Sequence, residues 1–350
     1  MSSSIELTGS QRIARSIGVG LGKLPPNILR ILSGGSQTNQ AGNVMAPEIG
    51  LLMKMAAAGP DFSDQPAARA RESVDAETAT FAANIPSLNL VQHVTIKAGL
   101  RAVRYRATDS SKGLLLYFHG GGFVFGNCAA YDSPARLLAV HTGLDVLSVD
   151  YRLAPDHPFP APIDDAFAAW EYAVAQSVDW GVDPHRIVVA GDSAGGNIAA
   201  VLAQQLRYED VRPAVQALLY PTVDFAGEYR SQIEFADSPA LTRKQIDWFQ
   251  DQYIPAGADR RDPRLSPSCA DDVSGLPSIV ITVAGFDPLR DEAVAYAERL
   301  SDAGVPTRLL REDGLVHGFV SFTAISKTSL RASVRFAEAI TEALADVHAR

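Results

Sequence analysis

The chain has 350 residues, of which 47% are hydrophobic and 20% are charged, and its formal net charge is -9. This composition is typical of a globular protein with enough apolar material for a large core, and it excludes a fibrous or disordered chain. The negative net charge, without any cluster of Lys and Arg interleaved with aromatic residues, argues against nucleic acid as a partner.

The cysteines and the N-terminal segment indicate the compartment. Cys128 and Cys269 are the only cysteines, too few for a disulfide framework, and no C-x-x-C spacing suggests a metal site or redox chemistry. We expect two unrelated thiols in a reducing compartment.

Arg12, Arg15 and Lys23 interrupt the only apolar stretch near the start of the sequence, so no signal peptide is predicted. No window approaches the roughly 18 continuous apolar residues of a membrane span. We therefore expect a cytoplasmic protein without stable membrane insertion.

Short apolar runs alternate with helical patterns along most of the chain. The segments VQHVTIK and LRAVRYRA (91–107) alternate apolar and polar residues, which predicts an antiparallel pair of strands. Six further strands are predicted at 113–118, 145–151, 186–191, 215–221, 278–285 and 307–313. Helices are predicted between or after them at 132–142, 162–176, 196–207, 290–303 and 328–346. This alternation predicts an α/β fold, with a mostly parallel eight-stranded sheet flanked by helices.

Two regions do not follow this alternation. Residues 1–75 contain helix-like pieces broken by Pro25 and Pro26, and residues 225–265 interrupt the series after the strand at 215–221. Such additions commonly pack together over a site. We therefore expect a helical cap in two segments, 1–75 and 225–265, over a catalytic domain formed by 76–224 and 266–350.

The segment GDSAG (191–195) lies between a predicted strand and a predicted helix. This is the context that the nucleophile-elbow motif G-x-S-x-G requires. Gly191 and Gly195 would let the strand and the helix approach closely, and Ser193 would then be held in a strained turn with its hydroxyl exposed. The structural alternative is an ordinary tight turn.

A glycine-rich loop, FHGGGFVFG (118–126), follows the strand at 113–118. Consecutive glycines let a loop turn its amides toward a substrate, where backbone N–H groups stabilise the oxyanion of an acyl-transfer reaction. A phosphate-binding loop is the alternative, but the segment matches neither G-x-G-x-x-G nor G-x-x-x-x-G-K-[ST]. His119 is expected to brace this loop rather than take part in catalysis.

A nucleophilic serine needs a base, and that base needs an acid. His317 follows the last strand, where such a sheet presents side chains to a common crevice, and His157 is the weaker alternative. Asp287 follows the strand at 278–285, but Pro288 after it would also suit a simple helix N-cap. The chain order Ser193, Asp287, His317 is the order of an α/β-hydrolase triad, with Asp291 as the fallback acid.

Five segments together resemble the hormone-sensitive-lipase-like esterases, which are α/β-hydrolases. They are HGGGF (119–123), YRLAPDHPFPAPIDDA (151–166), GDSAGGN (191–197), DPLRDE (287–292) and HGF (317–319). The resemblance implies a carboxylesterase for short to medium acyl chains, with no cofactor and no metal, and a small-molecule ester as its substrate. It also implies an oxyanion hole from the backbone amides of Gly121, Gly122 and Ala194. Homodimers are common in that family, so a homodimer is expected here.

The resemblance also assigns supporting positions. His119, Gly120 and Asp192 are expected to support the site without taking part in the chemistry. Tyr151, Arg152, Asp164 and Asp165 resemble buried polar positions that hold the oxyanion loop and the sheet edge.

Three rival functions remain open from the sequence. An amidase or deacetylase and a longer-chain lipase would use the same triad. A non-catalytic small-molecule receptor, like the plant gibberellin receptors that lack the catalytic histidine, would use the same scaffold.

Overall fold

A computed structural model of the protein describes residues 7–111, 113–238 and 240–348. Eight strands form one sheet: β1 Leu90–Lys97, β2 Leu100–Arg106, β3 Leu114–Phe118, β4 Asp145–Asp150, β5 Ile187–Asp192, β6 Val215–Leu219, β7 Ser278–Phe286 and β8 Thr307–Val316. Their order is β1-β2-β4-β3-β5-β6-β7-β8. The β1/β2 and β2/β4 pairs are antiparallel, and the other five pairs are parallel. The α/β fold with a mostly parallel eight-stranded sheet is therefore confirmed.

The helices lie before, between and after these strands. They are α1 Gly9–Leu21, α2 Pro26–Ser33, α3 Pro47–Ala56, α4 Ala67–Phe81, α5 Asp132–Thr142, α6 Ala161–Ser177, α7 Ala194–Gln205, α8 Arg230–Glu234, α9 Arg243–Tyr253, α10 Arg290–Asp302 and α11 Lys327–His348. Across the described residues, none of these helices combines the length and the hydropathy needed to cross a bilayer.

The sheet separates two hydrophobic cores because successive residues of a strand point to opposite faces. In β3, Leu114, Leu116 and Phe118 belong to the core that includes α6, α7 and α10. Leu115 and Tyr117 belong to the opposite core, which includes α5 and α11. Every residue of β3 is buried, as a near-continuous apolar run predicts for a parallel strand covered on both sides.

The strand and helix boundaries differ from the sequence prediction mainly at the carboxyl edge of the sheet. β5 extends to Asp192, and α7 begins at Ala194 rather than at residue 196, so a single residue joins strand and helix. β8 continues to Val316, one residue before His317. Both differences place the candidate site residues directly at the ends of secondary structure.

The two segments expected to form a cap are helical and contact each other. α1 to α4 precede the sheet, and α8 and α9 lie between β6 and β7. Lys244 of α9 donates to Asp61 at 3.2 Å and to Asp64 at 2.6 Å, and the ring centroids of Phe62 and Phe249 are 5.3 Å apart. α4 runs without interruption through the boundary expected between residues 75 and 76.

Candidate active site

Ser193 is the single residue between β5 and α7, and its backbone is strained. Its φ is +53°, a conformation that costs a non-glycine residue energy and that clusters at functional sites. A Cβ atom on Gly191 would overlap the backbone of Gly195, and a Cβ on Gly195 would overlap the carbonyl oxygen of Phe118. The glycines therefore allow the close approach that the sharp turn needs.

Ser193, His317 and Asp287 form one hydrogen-bonded series. Oγ of Ser193 lies 2.9 Å from Nε2 of His317, and Nδ1 of His317 lies 2.8 Å from Oδ2 of Asp287. Asp287 is fully buried, and its Oδ1 accepts a hydrogen bond from the amide of Leu289 at 2.8 Å. The Asp287 carboxylate thus contacts His317 and also caps the turn that leads into α10. The two roles that the sequence left open for Asp287, partner of the histidine and helix cap, are therefore compatible.

The other histidines and the fallback acid lie elsewhere. His93, His141, His157 and His185 are exposed; for His348 the structure describes the backbone alone. Asp291 accepts hydrogen bonds from the amide of Ser231 at 2.9 Å and from Nε of Arg290 at 2.7 Å. It makes no hydrogen bond to His317 among the described contacts.

The glycine-rich loop lies beside Ser193 and lines the same cavity. Gly121 and Gly122 adopt φ values of +107° and +59°, a region that favours glycine. The amides of Gly121, Gly122 and Ala194 have no hydrogen-bond acceptor among the described residues, and all three residues border the cavity with Ser193. These are donors available to a ligand atom bound near Ser193.

Asp192 connects the elbow to this loop. It is buried, and its Oδ1 accepts a hydrogen bond from Tyr117 at 2.7 Å and one from the amide of Gly120 at 2.8 Å. Burial raises the pKa of Asp192 to about 6, an effect that these hydrogen bonds partly oppose. A Cβ on Gly120 would overlap the Asp192 carboxylate, which explains the need for glycine there.

His119 and Tyr151 support the start of the loop. Nδ1 of His119 lies 2.8 Å from the carbonyl oxygen of Gly120, and the His119 ring stacks on Tyr151 with centroids 4.3 Å apart. Tyr151 donates its hydroxyl hydrogen to the carbonyl oxygen of His119 at 2.7 Å. Burial lowers the pKa of His119 to about 4, so the ring is neutral at pH 7.

The adjacent carboxylates of the 151–166 segment have different environments. Asp165 is fully buried and accepts hydrogen bonds from Arg152. Asp164 is exposed, so the expectation that it is a buried polar residue is wrong. Consecutive residues of a helix are about 100° apart, and only one of the two can face the sheet.

A cavity of about 670 Å³ contains the site, within the size range of small-molecule pockets. Apolar groups from both helical segments border it, including Met53, Phe62, Leu241 and Phe249. A Cβ on Gly122 would overlap the Phe249 ring, so this side chain of α9 lies directly against the glycine loop.

Glu292 also borders the cavity, and no sequence signal assigned it a role. Its carboxylate accepts hydrogen bonds from the amide of Val223 at 2.8 Å and from Gln232 at 3.3 Å. Burial raises the pKa of Glu292 to about 8, so it is largely protonated at pH 7. Among the described residues, no group of three or more His, Cys, Asp or Glu residues is arranged to hold a metal ion.

Comparison with known proteins places this geometry in a family. Residues 115–321 match the family model described as the alpha/beta hydrolase fold. The chain is 45% identical over 215 residues to the carboxylic ester hydrolase LipN of Mycobacterium tuberculosis, a match that covers 59% of this chain and 57% of LipN. It is 44% identical over 236 residues to the carboxylesterase NlhH of the same organism, which covers 66% of this chain and 74% of NlhH.

Solved structures of ester hydrolases share the fold of this chain. The ester hydrolase EH1AB1 from the metagenome of Lake Arreo superposes with a TM-score of 0.82 at 38% identity, covering 85% of this chain and 98% of that one. A hyperthermophilic esterase from the archaeon Pyrobaculum calidifontis gives 0.81 at 36% identity, with the same coverage.

The chain therefore belongs to the α/β-hydrolase family, in the hormone-sensitive-lipase-like branch that its motifs resemble. Because its relatives at 44–45% identity are carboxylic ester hydrolases, it is an enzyme of that class.

Proposed function

We propose that the protein hydrolyses uncharged esters of short to medium acyl chain length, through an acyl-enzyme on Ser193. The observation that carries this proposal is the continuous series from Ser193 Oγ through His317 to Asp287, at 2.9 Å and 2.8 Å. The Ser193 end of this series lies beside the unpaired amides of Gly121, Gly122 and Ala194. Nucleophile, base and oxyanion donors thus border one cavity, and the acid is buried next to the base.

In the first half-reaction, Nε2 of His317 takes the hydroxyl proton as Oγ of Ser193 attacks the ester carbonyl carbon. Asp287 accepts a hydrogen bond from Nδ1–H of His317, which leaves Nε2 free to act as the base and stabilises the imidazolium. The amides of Gly121, Gly122 and Ala194 donate to the oxyanion as the tetrahedral intermediate forms. The intermediate then collapses, and the alcohol leaves with the proton that His317 returns.

In the second half-reaction, a water molecule repeats the sequence on the acyl-enzyme. His317 takes a proton from this water, whose oxygen attacks the acyl carbon. Collapse of the second tetrahedral intermediate breaks the bond to Ser193 Oγ, which recovers its proton from His317. The carboxylic acid leaves, and the free enzyme is restored.

The charge of the cavity supports an uncharged substrate. No lysine or arginine is among the described residues that border it, whereas Asp61, Glu77 and Asp224 are. Hydrogen bonds from Gln245, Ser63 and Lys244 outweigh the effect of burial and lower the pKa of Asp61 to about 2, so this carboxylate is ionised at pH 7. Lys244 pairs with Asp61 but does not border the cavity, so a substrate that carries a carboxylate or phosphate would meet the carboxylate of Asp224 and no lysine or arginine there.

The test compares wild-type protein with Ser193→Ala on p-nitrophenyl esters from acetate to palmitate. We expect kcat/KM to be highest for short and medium chains, and turnover by Ser193→Ala to be absent in a variant with wild-type circular dichroism. Ser301→Ala, an exposed serine of α10, serves as the matched control. A maximum at palmitate would instead favour the lipase alternative.

A second comparison tests the charge argument. p-Nitrophenyl butyrate and p-nitrophenyl hemisuccinate have acyl groups of similar length, but only the second carries a carboxylate. We expect kcat/KM for the butyrate to exceed that for the hemisuccinate by at least about tenfold, since each 1.4 kcal/mol of repulsion is a factor of ten. Equal values would contradict the assignment of an uncharged substrate.

A further inference from the structure

The glycine-rich loop has a backbone conformation that its glycines permit but do not enforce. Gly121, Gly122, Phe123 and Gly126 all have positive φ values, and Phe123, at +63°, has a Cβ that disfavours this conformation. Such a backbone persists only where its surroundings hold it. The contacts that surrounding residues make with the loop therefore keep the amides of Gly121 and Gly122 in position.

Helix α4 supplies two of these restraints from one face. Nε of Arg71 donates to the carbonyl oxygen of Val124 at 2.7 Å, and Nη2 donates to that of Ala154 at 2.9 Å. One turn later, Oδ1 of Asp75 accepts a hydrogen bond from the amide of Gly126 at 2.8 Å. Residues four apart lie on the same side of a helix, so Arg71 and Asp75 hold the loop together.

A third contact fixes the orientation of the Asp75 carboxylate. Its Oδ2 accepts a hydrogen bond from Nδ2 of Asn127 at 2.7 Å, and the side chain is buried. Both oxygens are thus paired away from water. Hydrogen bonds to a charged group are stronger than neutral ones, and a buried donor that loses its acceptor is destabilised.

The residues that α4 holds are joined directly to the oxyanion glycines. The amides of Val124 and Phe125 donate to the carbonyl oxygen of Gly121 at 3.0 Å and 2.8 Å. A Cβ on Gly126 would overlap Nδ1 of His119, so the end of the loop packs against its beginning. A displacement at Val124 or Gly126 therefore displaces Gly121.

We propose that Arg71 and Asp75 are positioning residues, through which helix α4 holds the amides of Gly121 and Gly122 in the geometry that receives the oxyanion. This inference rests on the proposed oxyanion role of those amides. It gives these two residues of α4 a positioning role, in addition to the contribution of the helix to the wall of the cavity. A donor displaced by about 1 Å can cost on the order of 100-fold in rate.

The first test measures kcat and KM for Asp75→Asn and Asp75→Ala on p-nitrophenyl butyrate. We expect kcat to fall about 10- to 100-fold while KM changes less than about threefold, because the transition state alone uses the oxyanion contacts. The affinity of an arylboronic acid, which forms a tetrahedral adduct, should fall in parallel with kcat. Glu72→Gln, an exposed carboxylate on the same helix, should leave kcat unchanged.

A reciprocal exchange separates positioning from a general loss of structure. In Asp75→Asn, the amide nitrogen of the new side chain faces Nδ2 of Asn127, and two donors oppose each other. Adding Asn127→Asp restores a donor–acceptor pair, and the carboxylate introduced by this second substitution can still accept from the amides of Ala129 and Ala130 as Asn127 does. We expect the double variant to recover at least half of the lost kcat on a logarithmic scale.

Hydrogen–deuterium exchange of peptides covering 118–127 provides a readout that does not depend on turnover. Deuterium exchange of these peptides should increase in Asp75→Ala. In the double variant Asp75→Asn, Asn127→Asp it should be closer to that of the wild type, and other peptides should be unaffected. Unchanged loop exchange together with wild-type kcat in Asp75→Ala would overturn the inference, and so would an effect confined to KM. If wild-type protein hydrolyses no ester, the proposed function fails, whereas the exchange data still decide whether α4 positions the loop.

Discussion

Asp192 accepts a hydrogen bond from the amide of Gly120 at 2.8 Å, which joins the residue before Ser193 to the loop that carries Gly121 and Gly122. The same oxygen accepts from Tyr117 at 2.7 Å, so the carboxylate is fixed from the sheet. This carboxylate therefore connects the elbow to the glycine loop, although Gly120 and Asp192 are 72 positions apart in the sequence.

The first prediction follows from this contact. Asp192→Ala removes both hydrogen bonds, and we expect kcat on p-nitrophenyl butyrate to fall by roughly 10- to 100-fold, because the loop loses its anchor. Asp192→Asn retains an acceptor oxygen for Tyr117 and Gly120, and we expect a loss of no more than about fivefold. Steady-state kinetics on both variants checks this. Equal losses in the two would indicate that the charge, rather than the hydrogen bonds, matters.

The second prediction concerns the acid. Asp287→Asn replaces the hydrogen-bond acceptor of His317 and favours the wrong tautomer, so we expect kcat to fall on the order of 10⁴-fold. Asp291→Asn is the matched control, because Asp291 contacts Ser231 and Arg290 instead, and its kcat should change less than about threefold. A large loss in Asp291→Asn with activity retained in Asp287→Asn would reverse the assignment.

The third prediction concerns pH and stability. Burial raises the pKa of Glu292 from 4.5 to about 8 in the folded protein. The folded state therefore binds this proton more tightly than the unfolded state does. The resulting stability is fully present below about pH 4.5 and is lost as the pH rises through 8.

Glu292→Gln cannot ionise and avoids this loss. Between pH 5 and pH 9, we expect the free energy of unfolding of the wild type to fall relative to that of Glu292→Gln by a few kcal/mol, since one pKa unit corresponds to about 1.4 kcal/mol. Urea unfolding of both proteins at a series of pH values measures this difference in the free energy of unfolding. Glu298→Gln, an exposed glutamate of α10, should follow the wild type; identical pH profiles for wild type and Glu292→Gln would refute the prediction.

The fourth prediction tests the close approach at the elbow. The Cβ of Gly195→Ala would overlap the carbonyl oxygen of Phe118, and we expect a loss of about 1–3 kcal/mol of stability. Gly20→Ala is the contrasting control, because nothing lies within 4 Å of its Cβ. In helix α1 this substitution should stabilise the protein by about 0.5–1 kcal/mol. Thermal unfolding shows whether each variant is less or more stable than the wild type. Unchanged stability of Gly195→Ala would contradict the structure of the turn.

The sequence predicted those features that depend on local pattern. The apolar runs, the helical periodicity and the glycines on either side of Ser193 are local, and the structure has the strands and the strained turn where the sequence placed them. The chain order of Ser193, Asp287 and His317 then led to the three side chains that lie together at the edge of the sheet.

The remaining features depend on contacts between residues far apart in the chain. Asp75 and Gly126 are 51 positions apart, and Val223 and Glu292 are 69 apart, so neither pairing has a local pattern. Asp164 and Asp165 are adjacent and chemically identical, and only the direction in which helix α6 faces the sheet makes one buried and the other exposed. Helix packing decides such details, and a single sequence does not specify it at that resolution.

The most direct test of the central claim is covalent labelling with diethyl p-nitrophenyl phosphate, followed by peptide mass spectrometry. If Ser193 is the nucleophile that His317 activates, one equivalent of p-nitrophenol is released per chain as esterase activity disappears. The diethylphosphoryl adduct then lies on the peptide that contains Ser193. His317→Ala should slow this labelling by on the order of 10³-fold or more, because the serine loses its base. A stoichiometric adduct on another residue, or full activity in protein labelled at Ser193, would contradict the account.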